Sequence, residues 1–384
     1  MPFERDDIHM IYFDNAATTG VKPQSVVRAV ENALKNYSAN PGRGGYDSSV
    51  KAAELVFGVR QKIASFFGAS GPENVIFTLN CTHSINCVLK GVLQQGDHVL
   101  VSSLEHNAVM RPLKKTGVAF DVFQVSLFDD EQTVLNLKQK IKPNTRLVLC
   151  TGASNVAGKL LPIEKIGAIC RGRGILFGVD AAQIAGVLPI NMQKMNIDFL
   201  CVAPHKGLYA PMGTGILICE KKIRETVLEG GTGTNSLELV QPENLPERHE
   251  SGTLNLPGIA GIGAGIDFVE NMGIGKIYTH EMKLCKAVYN ELSKNPQIEV
   301  YTPDPLKYKY APVLSFNIKG LESSEGVEFL SKNGFALRGG YHCAPMAHKQ
   351  LGTLKSGTLR FSPAFFNNML QCEKFINLLK RKVI

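Results

Sequence analysis

No run of apolar residues in this 384-residue chain is long enough to cross a bilayer as a helix. The most apolar stretch, residues 258–268, is short, made largely of small residues and interrupted by Asp267. The opening Met1-Pro2-Phe3-Glu4-Arg5-Asp6-Asp7 lacks the basic-then-apolar order of an export signal. Also missing is any Cys-x-x-Cys pair among the nine cysteines, an odd number of which several sit inside apolar runs. A disulfide framework is therefore excluded, and buried thiols in a reducing, cytoplasmic compartment are expected. There is no internal repeat and no low-complexity linker. Basic residues outnumber acidic ones, 42 against 34, but no long block of either sign occurs. The densest clusters, Lys221-Lys222-Ile223-Arg224 and Lys380-Arg381-Lys382, are brief. Solvated helix faces account for them, so neither nucleic acid nor a membrane is expected as a partner.

What is present is alternation. Short β-type runs at 75–78, 98–102, 119–125, 146–151, 175–179, 199–202 and 215–219 are separated by amphipathic segments such as 50–67, 134–141 and 163–171. Strand, helix, strand in this rhythm predicts an α/β fold whose mostly parallel, seven-stranded sheet is covered on both faces. Ligands in such sheets gather at the carboxyl ends of the strands. After residue 255 the texture changes. A long helical stretch at 257–293 precedes β-type runs at 299–301, 313–318 and 358–361 and helices at 324–333 and 371–382. The expected organisation is a large domain over residues 16–255 and a smaller α+β domain from residues 1–15 and 256–384.

Asp180 ends one apolar run in Gly178-Val179-Asp180-Ala181-Ala182-Gln183, and Lys206 follows the next in Ala203-Pro204-His205-Lys206-Gly207. One helix in the interval would bring both strand ends to one edge of the sheet. A carboxylate and an amine placed there suit pyridoxal 5'-phosphate, whose aldehyde takes the amine and whose ring nitrogen takes the acid. Alone, such a pair is more often a helix cap and a solvated lysine. Asn80-Cys81-Thr82-His83-Ser84, before an apolar helix, offers hydroxyls and free N–H groups to a phosphate. Glu105-His106-Asn107 places a histidine at a strand end, where it would stack on a flat cofactor and move protons. Arg338-Gly339-Gly340-Tyr341-His342-Cys343-Ala344 is a tight loop in which Arg338 and His342 would favour the Cys343 thiolate. A metal reading of His342, Cys343 and His348 lacks a fourth ligand and a zinc spacing, so no metal is expected. Arg360, at the end of Thr358-Leu359-Arg360-Phe361, is suited to a carboxylate.

Together these pieces resemble the class V aminotransferase family, and within it the cysteine desulfurases. Tyr12-Phe13-Asp14-Asn15-Ala16-Ala17, Glu105-His106, Ser154-Asn155-Val156, Val179-Asp180-Ala181-Ala182-Gln183 and His205-Lys206 occur in the family's order. The resemblance implies the pyridoxal-phosphate type I fold, with Lys206 as the Schiff-base lysine and Asp180 on the pyridine nitrogen. It places Gln183 and Asn155 near the phenolic oxygen and ring, His106 on the ring face, and Thr82, the His83 backbone and His205 at the phosphate. Thr253 resembles the residue that reaches the neighbouring subunit's phosphate, which implies a homodimer. Arg360, with Arg338 and Asn155 beside it, matches the substrate-carboxylate site. The Cys343 loop is similar to that of the SUF-type (group II) enzymes. The implied activity converts L-cysteine to L-alanine, leaving a persulfide on Cys343 for a sulfur-acceptor protein or small thiol, in iron–sulfur cluster assembly or a related pathway. Selenocysteine lyase, cysteine β-lyase, aminotransferase and a silent scaffold of the same fold are the competing readings. Ala203 stands where a phosphate-binding serine is common, Tyr341 where a histidine is, and residues 361–368 depart from the family's usual sequence. The family's opening begins near Met10, so residues 1–9 are expected to be an extension.

Overall fold

The structure is a computed structural model that describes residues 10–42, 44–305 and 307–382; the expected extension, residues 1–9, lies outside them. Strand β1 (Ile11–Tyr12) leads into helices α1 (Gln24–Asn36) and α2 (Asp47–Phe67). Strands and helices then alternate through β2 (Val75–Thr78), α3 (Cys81–Val92), β3 (His98–Ser102), α4 (Asn107–Thr116) and β4 (Ala119–Phe123). The rhythm continues in α5 (Asp130–Lys140), β5 (Thr145–Thr151), α6 (Ile163–Gly172), β6 (Leu176–Asp180), β7 (Phe199–Val202) and β8 (Gly215–Cys219).

These seven strands from β2 to β8 form one sheet in the order β2-β8-β7-β6-β5-β3-β4. Only β8 runs against its neighbours, so the carboxyl ends of β2, β3, β5, β6 and β7 share one edge. Side chains alternate between two apolar layers. Ile216 and Ile218 of β8 enter one core, with Phe177, Val179 and Leu200, while Leu217 and Cys219 enter the other, with Phe199 and Leu149. Apart from the half-exposed edge strand β4, both faces are dry, which is why those strands read as largely unbroken apolar runs. The helix expected between Asp180 and Lys206 is instead a series of turns, with Gly186 at φ 79°. A Cβ on Gly186 would lie 2.2 Å from the Gly207 carbonyl oxygen, so close backbone approach, rather than a helix, returns the chain parallel.

The C-terminal part comprises α7 (Leu256–Met272), α8 (Ile274–Leu292), β9 (Ile298–Val300), β10 (Leu314–Ile318), α9 (Ser323–Lys332), β11 (Phe335–Ala336), β12 (Arg338–Gly340), α10 (Pro345–Leu351), β13 (Thr358–Phe361) and α11 (Met369–Lys382). The single long helix expected over 257–293 is two helices, broken at Gly273, whose φ of 82° is costly for any side chain. Helix α7 packs Ile259, Ile262, Ile266 and Val269 into the large-sheet core. A second antiparallel sheet, β12-β13-β10-β9, has its own core around Phe13, Phe316, Phe361 and Phe375. Phe13 follows β1, which pairs in parallel with β11, so the start of the described chain is sewn into the C-terminal unit.

A buried ion pair and a buried carboxyl group tie elements together in the interior. Arg60 on α2 meets both carboxylate oxygens of Glu250 (2.8 and 2.5 Å) and the Val75 carbonyl, and its guanidinium lies 4.6 Å from the Phe77 ring centroid. Arg60→Met would strand the Glu250 carboxylate inside the protein; a loss of about 3–5 kcal/mol is expected in urea unfolding. Glu281 on α8 accepts the Tyr209 hydroxyl at 3.3 Å, and burial pushes its pKa up to about 8. The folded chain keeps this proton to higher pH than an unfolded glutamate does, so folding stability falls as pH rises from about 5 to 8. Glu281→Gln is expected to remove that share of the slope, up to about 1.4 kcal/mol per pH unit, in urea midpoints compared at about pH 5.5 and 7.5.

Candidate active site

The carboxyl edge of the large sheet carries a cavity of about 120 Å³ lined by residues that include Cys81, Thr82, His106, Asn155, Asp180, Gln183, His205 and Lys206. Parallel pairing makes this convergence unavoidable. Asp180 is in register with Thr151 of β5 and Cys201 of β7, and Lys206 lies just beyond β7. A turn in which the Lys206 N–H bonds to the Ala203 carbonyl and the Tyr209 N–H to the Lys206 carbonyl turns the chain back sharply. Gly207 is required there, because a Cβ would sit 2.3 Å from the Ala185 oxygen. Among the described residues no side-chain hydrogen bond engages the Lys206 amine. Burial lowers its pKa, against the opposing pull of Asp180. Burial thereby shifts the amine toward its neutral, nucleophilic form.

Asp180 is 4% exposed; its Oδ1 accepts the Ala182 N–H at 3.0 Å and the Cys81 thiol at 3.5 Å. His106 caps α4, its Nδ1 accepting the Ala108 N–H at 3.0 Å. That bond requires a lone pair on Nδ1, so the ring's proton is on Nε2 in the neutral form. Burial, foremost, lowers its pKa and keeps it neutral. Next to it Glu105 is wholly enclosed, held by the Ser102 hydroxyl and the Thr151 N–H, and burial raises its pKa to about 8.

At the other wall, Asn80 caps α3 and takes the His83 N–H at 2.9 Å. The His83 backbone, assigned to a phosphate from the sequence, is thus already engaged. Among the described residues the Cys81 and Thr82 N–H groups meet no acceptor, and they are the first-turn donors that an anion would take. His205 contacts Thr18 Oγ1 through Nδ1 at 3.0 Å, and burial brings its pKa down to about 4, with Lys206 and Lys22 adding to the shift. Its carbonyl gathers the Thr19 N–H, the Thr18 and Thr19 hydroxyls and the Lys22 amine. The N-terminal segment therefore clamps the residue preceding Lys206. Gln183 lines the same cavity and donates to the Ala16 carbonyl at 3.0 Å.

Arg360 is 1% exposed and pairs with Asp14 at 2.5 Å, while its Nε is buried and unpartnered among the described residues. Arg338 lies opposite it in register on β12, and it is exposed. Two arginines in register, one with an Nε–H that has no partner among the described residues, suit a small carboxylate. Cys343 is exposed, whereas the other eight cysteines are buried. His342 and Cys343 both lie in the left-handed region, at φ 46° and 55°, which costs roughly 1–2 kcal/mol for each side chain. His342 bonds to the Thr358 carbonyl at 2.9 Å, and burial lowers its pKa to about 2. It is uncharged at neutral pH, so it does not supply the positive charge expected of it beside the thiolate. Thr253 is exposed and lines a separate cavity with Ala33, Tyr37 and Pro257; a single copy of the chain does not bring it to Lys206.

The aminotransferase class-V family model matches residues 11–375. The chain belongs to the class V aminotransferase family. A relative in this family from Methanothermobacter thermautotrophicus, named a probable cysteine desulfurase, is 33% identical over 96% of this chain and 92% of its own length. The solved apo cysteine desulfurase of Thermococcus onnurineus NA1 superposes with a TM-score of 0.89 at 33% identity, covering 97% of this chain and 94% of that one. The Escherichia coli cysteine desulfurase CsdA, solved as an S-sulfonic acid, gives 0.85 at 27% identity over the same shares.

Sequence reasoning missed several residues of this class V site. Cys81 touches Asp180, Asp14 neutralises Arg360, and Lys22 reaches the His205 carbonyl. Asp14 stood in a recognised motif, which was a usable signal. Cys81 stood in the motif read as a phosphate site, though not as a partner of Asp180, and Lys22 had no signal, since it acts across a fold contact that spacing does not encode.

Proposed function

We propose that this chain is a cysteine desulfurase that uses pyridoxal 5'-phosphate. The observation that carries the reading is the Lys206 amine, free of side-chain hydrogen bonds among the described residues and lowered in pKa by burial, sharing one cavity with the Asp180 carboxylate, with a single exposed thiol, Cys343, on a nearby loop. The donor set fits the group: an amine for its aldehyde, an acid for its ring nitrogen, a neutral imidazole for its face and open N–H groups for its phosphate. When bound, it supplies a covalent handle on an amino group and a cationic ring that takes up electrons.

The chain's own residues divide the remaining work. Asp180 would hold the proton on the ring nitrogen. His106 would cover the ring, with Gln183 and Asn155 bordering it. Thr82, with the Cys81 N–H and His205, would grip the phosphate. Arg360, with Arg338 beside it, orients the carboxylate of L-cysteine. Lys206 carries the proton to and from the substrate Cα. The Cys343 thiolate attacks the substrate sulfur. In the net exchange the substrate's carbon–sulfur bond breaks, a sulfur–sulfur bond forms on Cys343, and protonation of the released carbon yields L-alanine. The persulfide then passes to an acceptor protein or small thiol, in iron–sulfur cluster assembly or a related route. Eight buried thiols suit a cytoplasmic setting. Among the described residues no helix is long and apolar enough to cross a membrane. The same reading keeps two domains, residues 16–255 for the cofactor and 1–15 with 256–384 for the reactive loop, with α7 packed on the larger one.

Purified protein supplied with pyridoxal phosphate is expected to gain visible absorbance. With L-cysteine it should release alanine and carry the persulfide on one thiol. Absence of the chromophore after cofactor addition would remove the basis of the reading, and selenocysteine-only turnover would redirect it to a lyase.

The reading includes a homodimer in which Thr253 serves the partner's phosphate. Leu237, Leu239 and Val240 are 99%, 104% and 75% exposed on the segment that leads to Glu250 and Thr253, an apolar surface suited to burial against a second copy. Leu239→Glu is expected to shift the chain from dimer to monomer in light scattering and to weaken cofactor affinity at least about ten-fold.

A further inference from the structure

The reactive turn is held from the other side of the site. His342 and Cys343 are consecutive left-handed residues without glycine's freedom, so something must hold them there. Both of their carbonyls accept from the large-sheet unit. The His342 oxygen takes the side-chain amide of Asn155 at 2.8 Å, and the Cys343 oxygen takes the backbone N–H of Asn107 at 2.7 Å. Asn155 is 9% exposed and lines the cavity of Lys206 and Asp180. Asn107 directly follows His106 and is the first residue of α4, a position whose N–H has no acceptor within its own helix. The Asn155 carbonyl in turn accepts from Arg360 at 3.3 Å.

We propose that Asn155 is a positioning residue for Cys343: its amide, with the Asn107 N–H, latches the left-handed His342–Cys343 turn to the rim of the cavity. This extends the desulfurase reading, on which its catalytic meaning rests, but the latch itself is a property of the chain and is testable without cofactor. An amide carries two N–H bonds, so one is committed to the turn while the other stays available to whatever fills the cavity.

Hydrogen exchange in the cofactor-free, full-length protein reads the latch directly. Protection of the Asn107 amide depends on the Cys343 carbonyl, and that of Ala344 on its 2.9 Å bond to the Tyr341 carbonyl within the turn. Asn155→Ala and Asn155→Asp both delete the donor. Each is expected to speed exchange at Asn107 and Ala344 about ten-fold or more while core amides keep their protection. Gln183→Ala, which lines the same cavity but bonds to Ala16, should leave both amides unchanged. Unchanged protection in either Asn155 variant, or equal loosening in Gln183→Ala, overturns the proposal. Should the Asn155 variants not fold, Asn107→Pro tests the second contact. The first helical position accepts proline, and the extended His106 backbone (ψ 156°) suits the residue before one. Faster Ala344 exchange supports the latch there and unchanged exchange overturns it. Failure of the desulfurase reading would show separately, as a protein that gains no chromophore while these exchange rates stand.

Discussion

Lys206→Ala is expected to cut alanine release from L-cysteine by roughly 10⁴-fold or more, because one substitution removes both the covalent attachment point and the proton carrier. After borohydride reduction of the loaded protein, the wild-type chain should carry the cofactor's mass on the peptide containing Lys206, and the variant should carry none. Folding should survive, since the amine makes no side-chain hydrogen bond among the described residues. A pH signature separates this site from an ordinary surface lysine. Burial lowers the Lys206 pKa below that of an unfolded lysine, so over the interval between the two values the unfolded chain binds more protons. Stability of the cofactor-free protein therefore gains from Lys206 as pH rises through that interval. Lys206→Met should flatten this part of the profile in urea unfolding. A variant that keeps its colour, its labelled peptide and its turnover would show that the amine has been misassigned.

Cys343→Ala is expected to separate cofactor chemistry from sulfur transfer. The variant should bind pyridoxal phosphate with an unchanged spectrum, because no cavity-lining side chain is altered. Its release of alanine from L-cysteine should fall at least about 10³-fold for want of the attacking thiolate. Mass spectrometry should find the added sulfur on Cys343 in the wild-type chain and on no cysteine in the variant, the other eight being buried. Stability should change by less than about 0.5 kcal/mol, as for other exposed positions. Wild-type turnover in Cys343→Ala would refute the persulfide route while leaving the cofactor assignment intact. Cys343→Gly relieves the left-handed strain, so it should be somewhat more stable than Cys343→Ala and equally inactive.

How much of this was legible beforehand follows from the range over which each signal acts. The large sheet was readable because its strands are buried on both faces, which leaves short unbroken apolar runs that periodicity can detect. Asp180 and Lys206 were readable because residues at the carboxyl ends of neighbouring parallel strands must meet, whatever connects them. The connection itself was misjudged: the turns at 181–198 replace a helix because Gly186 and Gly207 let two backbone segments touch. The break at Gly273 was hidden inside one continuous apolar pattern.

Residue order alone determined the α/β class, the boundaries of most strands, the family motifs and the pair of groups at the heart of the site, since these depend on local periodicity and on a connection rule that any parallel sheet obeys. Only the tertiary structure decided how the groups are charged and held. It paired Arg360 with Asp14 across the chain, neutralised His342 by enclosing it, left Thr253 outside its own copy's cavity and brought Asn155 and Asn107 to the carbonyls of the reactive turn. Burial, proton affinity and hydrogen-bond partners are set by neighbours brought together through folding from positions hundreds of residues apart, and linear spacing carries no record of them.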